Sequence, residues 1–516
     1  MAVKILWADD EIDLLKPHIM FLEEKGYDVS TTNNGSEALD MINEESFDIV
    51  FLDENMPGIS GLETLTQIKN RRPGLPVVMI TKSEEESIMN DAIGSNISDY
   101  LIKPVNPHQL LLSLKKNLEN KKLVSEKTTM SYQREFRQIS MAMSGRMDSP
   151  EWKEIYRQLI YWELELEKSQ DNSLKDIFRM QKSEANSVFS SFVKKNYLDW
   201  LSSNDDDKPA LSHTVFREHC LPFIKAEEKT FLVIIDNLRF DQWKSLQPFF
   251  EEFYRVVNED IYCSILPTAT QYARNAFFAG LLPSEIEKRH PKYWVNEDDE
   301  GTRNQFENEL FGEQLKRLGS DIKFNYHKIL SLNAGKKLAE NLINYTSTRL
   351  NVLVYNFVDM LSHARTEMEV IKELADDEAA YRSLTMSWFE HSPLWDILRF
   401  LAEKRISIIL TTDHGSIRVQ NPVRVVGDKN TNTNLRYKTG RNLQYDASEV
   451  FDVRNPSEAY LPKGTISSNY IFAVENSFFA YPNNYNYYVN YYRNTFQHGG
   501  VSLEEMMIPL IFMKAR

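Results

Sequence analysis

Seven residues of this chain carry a recognisable ligand chemistry: Asp236, Thr270, Asp359, His363, Asp413, His414 and His498. They sit in the local texts FLVIIDNLR, LPTATQYAR, LVYNFVDMLSH, SIILTTDHG and NTFQHGG. Carboxylate and imidazole donors without thiolates suit zinc, and manganese accepts the same set. Two metal ions about 4 Å apart are a recurring device for in-line displacement at phosphorus. Thr270 is the expected nucleophile, because metal coordination supplies the alkoxide that a lone hydroxyl does not form at neutral pH. Thr268 is the alternative. Thr270 is preferred because it lies nearer the start of the helix that QYARNAFFAGL should form. As an N-cap it would present its hydroxyl beside free backbone N–H groups, where a phosphoryl group is stabilised.

Most of these residues stand where a β-branched run ends, which reads as a parallel strand with function at its carboxyl end. Asp359 and His363 are an i, i+4 pair, so a helix opening after the strand puts both on one face. Asp413-His414 precedes Gly415, where the backbone can turn sharply. Taken singly, each residue has an ordinary reading, such as a turn-forming Asp or a hydrogen-bonded His. Their joint order is what points to a two-metal centre.

In that order and spacing the residues resemble the alkaline phosphatase superfamily, in particular its nucleotide phosphodiesterase branch and the PglZ-type domains, over roughly residues 215–516. The resemblance implies two Zn²⁺ ions, one held by Asp236, Thr270, Asp413 and His414, the other by Asp359, His363 and His498. It further implies a phosphodiesterase acting on nucleotide or oligonucleotide substrates. The rival reading is a signalling adaptor that keeps the ligands and has little or no turnover. After DHG comes the polar stretch DKNTNTNLRYKTGRN, with Lys429, Arg436, Tyr437, Lys438 and Arg441. It is expected to be a long loop near the metal mouth. There Arg436, Lys438 and Arg441 would hold phosphates and Tyr437 would stack on a base; a solvated insertion is the equal alternative. Arg274, one helical turn past Thr270, is a further expected phosphate contact.

The amino-terminal region carries a second signal. KILWADD, YDVSTTN, FDIVFLDENM, LPVVMIT and SDYLIKP alternate with amphipathic helical stretches. This βα-repeat predicts a parallel, doubly wound α/β sheet. Asp9, Asp10 and Asp53 end its strands, and clustered carboxylates select a hard cation. The pattern resembles the receiver domain of bacterial response regulators. The resemblance implies phosphorylation of Asp53 by a sensor histidine kinase, with Mg²⁺ bound by Asp9, Asp10, Asp53 and the backbone of Asn55. It also makes Thr81 and Tyr100 the switch pair, and Lys103, before a cis Pro104, the partner of the phosphoryl oxygens.

Residues 121–215 contain one glycine, Gly145, and repeat apolar residues at helical spacing, as in SPEWKEIYRQLIYWELELEKSQ. They predict a helical bundle whose Trp and Tyr residues form core, opening with Ser149 as cap and Pro150 at the first turn, and followed by a loop at SSNDDDKP (202–209). The expected organisation is a receiver over 1–120, a bundle linker over 121–215 and an alkaline phosphatase-like PglZ α/β domain over 216–516. A net charge of −15 and pI near 5.3 disfavour broad electrostatic binding to nucleic acid. Two cysteines and the lack of a long apolar run predict a cytoplasmic protein without membrane insertion. As a whole the chain resembles response regulators that act with a PorY-like sensor kinase in control of type IX secretion. That implies a homodimer on phosphorylation and transcriptional control through an extracytoplasmic sigma factor.

Overall fold

A computed structural model describes residues 3–82, 97–169, 172–203, 208–296, 302–375, 377–428, 431–463 and 469–516; for 119–129, 367, 369 and 370 it describes the backbone alone. Lys429 and residues 204–207 of the expected 202–209 loop lie outside the described residues. The chain forms two compact units, Met1–Arg134 and Glu135–Arg516.

In the first unit, strands β1 (Lys4–Ala8), β2 (Asp28–Thr32), β3 (Ile49–Asp53), β4 (Val77–Thr81) and β5 (Asp99–Ile102) form one parallel sheet in the order β2-β1-β3-β4-β5. Side chains alternate between its faces. Val50 and Leu52 of β3 join the core on one side, Ile49 and Phe51 the core on the other. Both faces are therefore covered, which explains the continuous apolar runs. Chain order reverses between β1 and β3, and the acids that follow these strands meet at that crevice.

The second unit contains the linker helices Ser149–Glu167 and Asn172–Ser202, packed through rings such as Trp152 and Phe189, whose centroids are 5.1 Å apart. The first helix is capped one residue earlier than expected. The Asp148 carboxylate accepts from Glu151 N, and Glu151 returns a bond to the Asp148 amide, so Ser149 is already helical.

The main sheet of this unit comprises β6 (Thr230–Ile235), β7 (Tyr254–Cys263), β8 (Phe324–Ile329), β9 (Leu350–Tyr355), β10 (Ser407–Thr411) and the carboxyl-terminal strand Met507–Ala515. Its order is β7, carboxyl-terminal strand, β10, β6, β9, β8. Strands β10, β6, β9 and β8 run parallel, and the carboxyl-terminal strand is antiparallel to β10 and β7. Thr411 pairs with Ile234, and Ile235 with Tyr355. The chain therefore leaves β10, β6 and β9 at one edge, and this brings Asp413, Asp236 and Asp359 together.

The stretch after DHG is not the free loop expected from its polarity. Tyr437–Gly440 is a strand paired antiparallel to Asn469–Ala473, which also pairs with Val450–Val453. Among the described residues, no helix is long and apolar enough to cross a membrane.

Candidate metal centre

Asp236 follows β6 directly, and Asp413-His414 follows β10 after one residue. Asp359 and His363 lie on the helix Phe357–Glu367, Thr270 opens the helix Thr270–Ala279, and His498 follows a short strand at Phe496–Gln497. Donor atoms of Asp236, Asp413 and His414 all lie within 4.8 Å of one another, and the same holds for Asp359, His363 and His498. The two groups adjoin: the His414 and His498 rings stack with centroids 4.2 Å apart. Thr270 Oγ1 stands 3.2 Å from His414 Nε2 and 3.5 Å from Asp236 Oδ1.

The backbone orients the buried His414 imidazole and the partly buried His498 imidazole. His414 Nδ1 is 3.2 Å from Gly415 O, and His498 Nδ1 is 3.1 Å from Thr268 O. A nitrogen facing a carbonyl carries the proton, so each Nε2 keeps its lone pair for the site, the usual arrangement of a metal-ligating histidine. Ala269, not Thr270, is the N-cap, so the Thr270 hydroxyl is turned toward the donor groups instead of the helix backbone. Thr268 is committed elsewhere: its buried hydroxyl donates to Gly500 O at 2.9 Å and accepts from Gly499 N at 3.0 Å.

Burial pushes the Asp236 carboxyl up to about 7 despite Arg274 beside it, and raises Asp413 as well. It lowers His414, and, together with His414, brings His498 down to about 4. Burial also works to raise Asp359, but the imidazoles of His498 and His363 more than offset it and hold it below the usual carboxylate range. Carboxylates and imidazole nitrogens converging in a desolvated site favour a bound cation. Asp413 Oδ2 is buried with no hydrogen-bond partner among the described residues. The donor set, the imidazole orientation and this orphaned oxygen fit two divalent ions.

The expected substrate contacts fare differently. Arg274 is fully buried, with Nη1 2.7 Å from Asp236 and Nε 2.7 Å from Glu307, so it braces a carboxylate and does not face the opening. Arg436 is fully buried against Glu505 at 2.5 Å, and Lys438 is buried with Nζ donating to Asn432 O at 2.7 Å. Both charges serve the fold: Lys438 lies in the strand that sequence polarity concealed, Arg436 directly precedes it, and both turn inward. Tyr437 does line the pocket, a cavity of about 350 Å³ shared with Thr270, Asp359, His363 and His498; exposed Arg441 is not among its walls. Gln271, Arg303 and Asn304 also line it and were not singled out by spacing. Asn237 was missed too. Its φ of 64° lets the side chain donate to Asp359 at 3.3 Å and to Ser362 at 3.2 Å. The Asn directly after a strand-end acid was the available signal, since Asn tolerates that backbone region.

In the first unit, Lys103 Nζ lies 2.8 Å from both Asp9 and Asp53, after which the Lys103–Pro104 peptide is cis. Asp9 and Asp53 are buried and Asp10 is exposed, with donor atoms of all three inside 4.8 Å, a set that fits one hard cation. Asn55 N donates to Asp53 at 3.2 Å, and burial raises Asp53. Thr81 donates to Glu54 at 2.9 Å, and the half-buried Tyr100 hydroxyl lies beside Thr81.

Residues 5–115 match the response regulator receiver domain, 122–201 the PorX response regulator linker domain, and 215–513 the BREX system PglZ alkaline phosphatase-like domain. The receiver region is 36% identical over 120 residues to the alginate biosynthesis transcriptional regulatory protein AlgB of Pseudomonas putida, covering 23% of this chain and 27% of AlgB. It is 38% identical over 112 residues to the transcriptional regulatory protein CpxR homologue of Haemophilus influenzae, covering 22% of this chain and 48% of that protein. The chain thus spans between about a quarter and a half of the length of these relatives. Among solved structures, the CheY-like receiver protein of Methanospirillum hungatei is 29% identical over 23% of this chain and 96% of its own, with a TM-score of 0.23. CheY4 of Vibrio cholerae is 28% identical over 23% of this chain and 100% of its own, with a TM-score of 0.22. With more than half of its 516 residues in the PglZ match, the chain belongs to the PglZ alkaline phosphatase-like family, here as the output of a response regulator of PorX-type receiver, linker and PglZ architecture.

Proposed function

We propose that the PglZ domain is a zinc-dependent phosphodiesterase that cleaves nucleotide or oligonucleotide phosphodiesters with Thr270 as nucleophile. The observation that carries this reading is the pair of adjoining donor groups, Asp236/Asp413/His414 and Asp359/His363/His498, with the Thr270 hydroxyl at the first of them. Bound at these groups, two zinc ions would supply the positive charge that favours the Thr270 alkoxide and neutralises the leaving oxygen. The chain itself does the positioning. Arg274 and Asn237 fix the Asp236 and Asp359 carboxylates, and the carbonyls of Gly415 and Thr268 fix the imidazoles. Thr270 Oγ attacks phosphorus and one alcohol departs with a proton, leaving the remaining phosphate ester on Thr270. Water then breaks the Thr270 O–P bond, releasing a phosphate monoester and restoring the hydroxyl. The pocket walls contributed by Tyr437, Arg303 and Asn304 suit a base and its flanking phosphate.

In the same proposal a sensor histidine kinase phosphorylates Asp53 with Mg²⁺ bound at Asp9, Asp10 and Asp53. The Thr81–Tyr100 pair reports the change, and the phosphorylated chain dimerises in the cytoplasm. Control of type IX secretion and contact with an extracytoplasmic sigma factor follow from resemblance alone. Elemental analysis combined with hydrolysis of bis-p-nitrophenyl phosphate tests the enzymatic core. Near two zinc ions per chain, with turnover lost in Thr270→Ala, supports it. Two ions without turnover in the wild type turn the reading toward an adaptor, and a chain without metal refutes it.

A further inference from the structure

The linker helices make buried polar contacts that run to the loops bearing the proposed metal ligands. From Ser149–Glu167, Glu163 and Glu167 accept from the Arg382 guanidinium at 2.9 and 2.8 Å. The same guanidinium lies 2.7 Å from Asp241, which pairs with Arg239 at 2.5 Å. Arg239 stands three residues past Asp236, and its guanidinium sits 5.1 Å over Phe496, two residues before His498. Its side chain also closes on Gly415, next to His414, approaching within 3.3 Å of where a Cβ would stand there. The Arg239, Asp241 and Arg382 side chains are at most 4% exposed.

A second arm starts on Asn172–Ser202. Asn186 accepts from Leu503 N at 2.8 Å and donates to Glu504 at 3.1 Å, while Lys182 pairs with Glu504 at 3.1 Å. The segment they hold backs His414 directly. Gly415 N donates to Glu505 O at 3.1 Å, and a Cβ on Gly415 would lie 2.0 Å from Glu504 O. No slack therefore separates the segment held by Asn186 from the turn that aims His414. Lys182 also pairs with Glu163 at 2.8 Å, which joins the two arms.

We infer that Arg382 and Asn186 are positioning residues for the metal centre, and that the linker braces the loops of the PglZ site from behind and is not a spacer before it. The inference rests on the proposed metal reading. Removing one partner of a buried ion pair leaves the others uncompensated, so they shift toward new partners. Here that shift moves the chain at Asp236, His414 and His498. Outer partners of metal ligands typically change metal affinity about 10–100-fold when lost.

The test uses the full-length zinc-loaded chain. Zinc release to a chelating dye, kcat and KM for bis-p-nitrophenyl phosphate, and the unfolding midpoint of the zinc-stripped protein are measured together. The variants are Arg382→Met, Asn186→Leu and, as a core truncation away from the network, Leu401→Ala. Ser191→Ala on the exposed side of the same linker helix should match the wild type. Arg382→Met and Asn186→Leu should release zinc roughly 10-fold faster or more, with kcat falling and KM little changed. Leu401→Ala should lower the midpoint without faster release, which a merely structural role of the linker contacts would not separate. Should Arg382→Met fail to fold, Asn186→Leu decides, because it leaves the ion pairs in place. Release from Asn186→Leu no faster than from Leu401→Ala overturns the inference alone. A wild type that binds no zinc overturns the metal reading and this inference with it.

Discussion

Thr268 and Thr270 stand two residues apart, and the structure gives their hydroxyls opposite duties, so replacing each with the nearly isosteric valine separates stability from chemistry. In Thr268→Val the Gly499 amide and the Gly500 carbonyl lose their partner inside a buried loop. An orphaned buried donor costs about 1–3 kcal/mol and the carbonyl somewhat less, so a total of about 2–4 kcal/mol is expected. At about 2–4 °C per kcal/mol, the midpoint of the PglZ-containing unit should fall by roughly 4–16 °C. His498 hangs from Thr268 O and loses some placement, so turnover should drop by no more than about 100-fold. In Thr270→Val the lost hydrogen bonds are long, 3.2 and 3.5 Å, so the cost should stay below about 1 kcal/mol. Turnover, however, should fall by about 10³ or more, because the nucleophile itself is gone. Differential scanning fluorimetry and bis-p-nitrophenyl phosphate hydrolysis on the same preparations read both effects. The reasoning is refuted if Thr270→Val turns over near the wild-type rate while Thr268→Val is inactive with an unchanged midpoint.

Other expectations follow from the same geometry. His363 has an imidazole side chain that is 63% exposed, so His363→Ala should fold normally yet bind one zinc where the wild type binds two, as read by elemental analysis. Arg436→Met should act on stability instead of substrate affinity. Breaking its buried pair with Glu505 should cost about 3–5 kcal/mol, seen as a lower denaturant midpoint with KM unchanged in the folded fraction. In the receiver, Asp53→Ala should take up no phosphoryl group from acetyl phosphate, and light scattering should find no dimer when beryllofluoride is added. A dimer induced equally in that variant would separate dimerisation from Asp53.

Much of this architecture was legible because it depends on short-range pattern. Short, largely apolar runs such as VVMIT (77–81) and SIILT (407–411) declare a sheet covered on both faces, and an acid after such a strand declares its functional end. The grouping of ligands was legible because strand-end acids in a parallel sheet collect at one edge. What stayed hidden depends on tertiary context. Arg436 and Lys438 read as a basic loop, since nothing in RYKTG announces that Glu505, some seventy positions on, receives the guanidinium inside the domain. Arg274 looked available for phosphate for the same reason: its partner Glu307 lies in a different local text. Arg303 and Asn304 enter the pocket from a segment with no periodic signal. The Asp148 cap shows the ordinary one-residue uncertainty of helix starts, where Asp and Ser stand side by side and either can cap.

The central claim is that one edge of the PglZ sheet holds two metal ions. Crystals of the zinc-loaded full-length chain, with anomalous differences recorded on both sides of the zinc edge, test it directly. Two peaks about 4 Å apart are expected, one among Asp236, Asp413, His414 and Thr270, the other among Asp359, His363 and His498. No peak at these residues, or zinc held only elsewhere on the chain, would contradict the account.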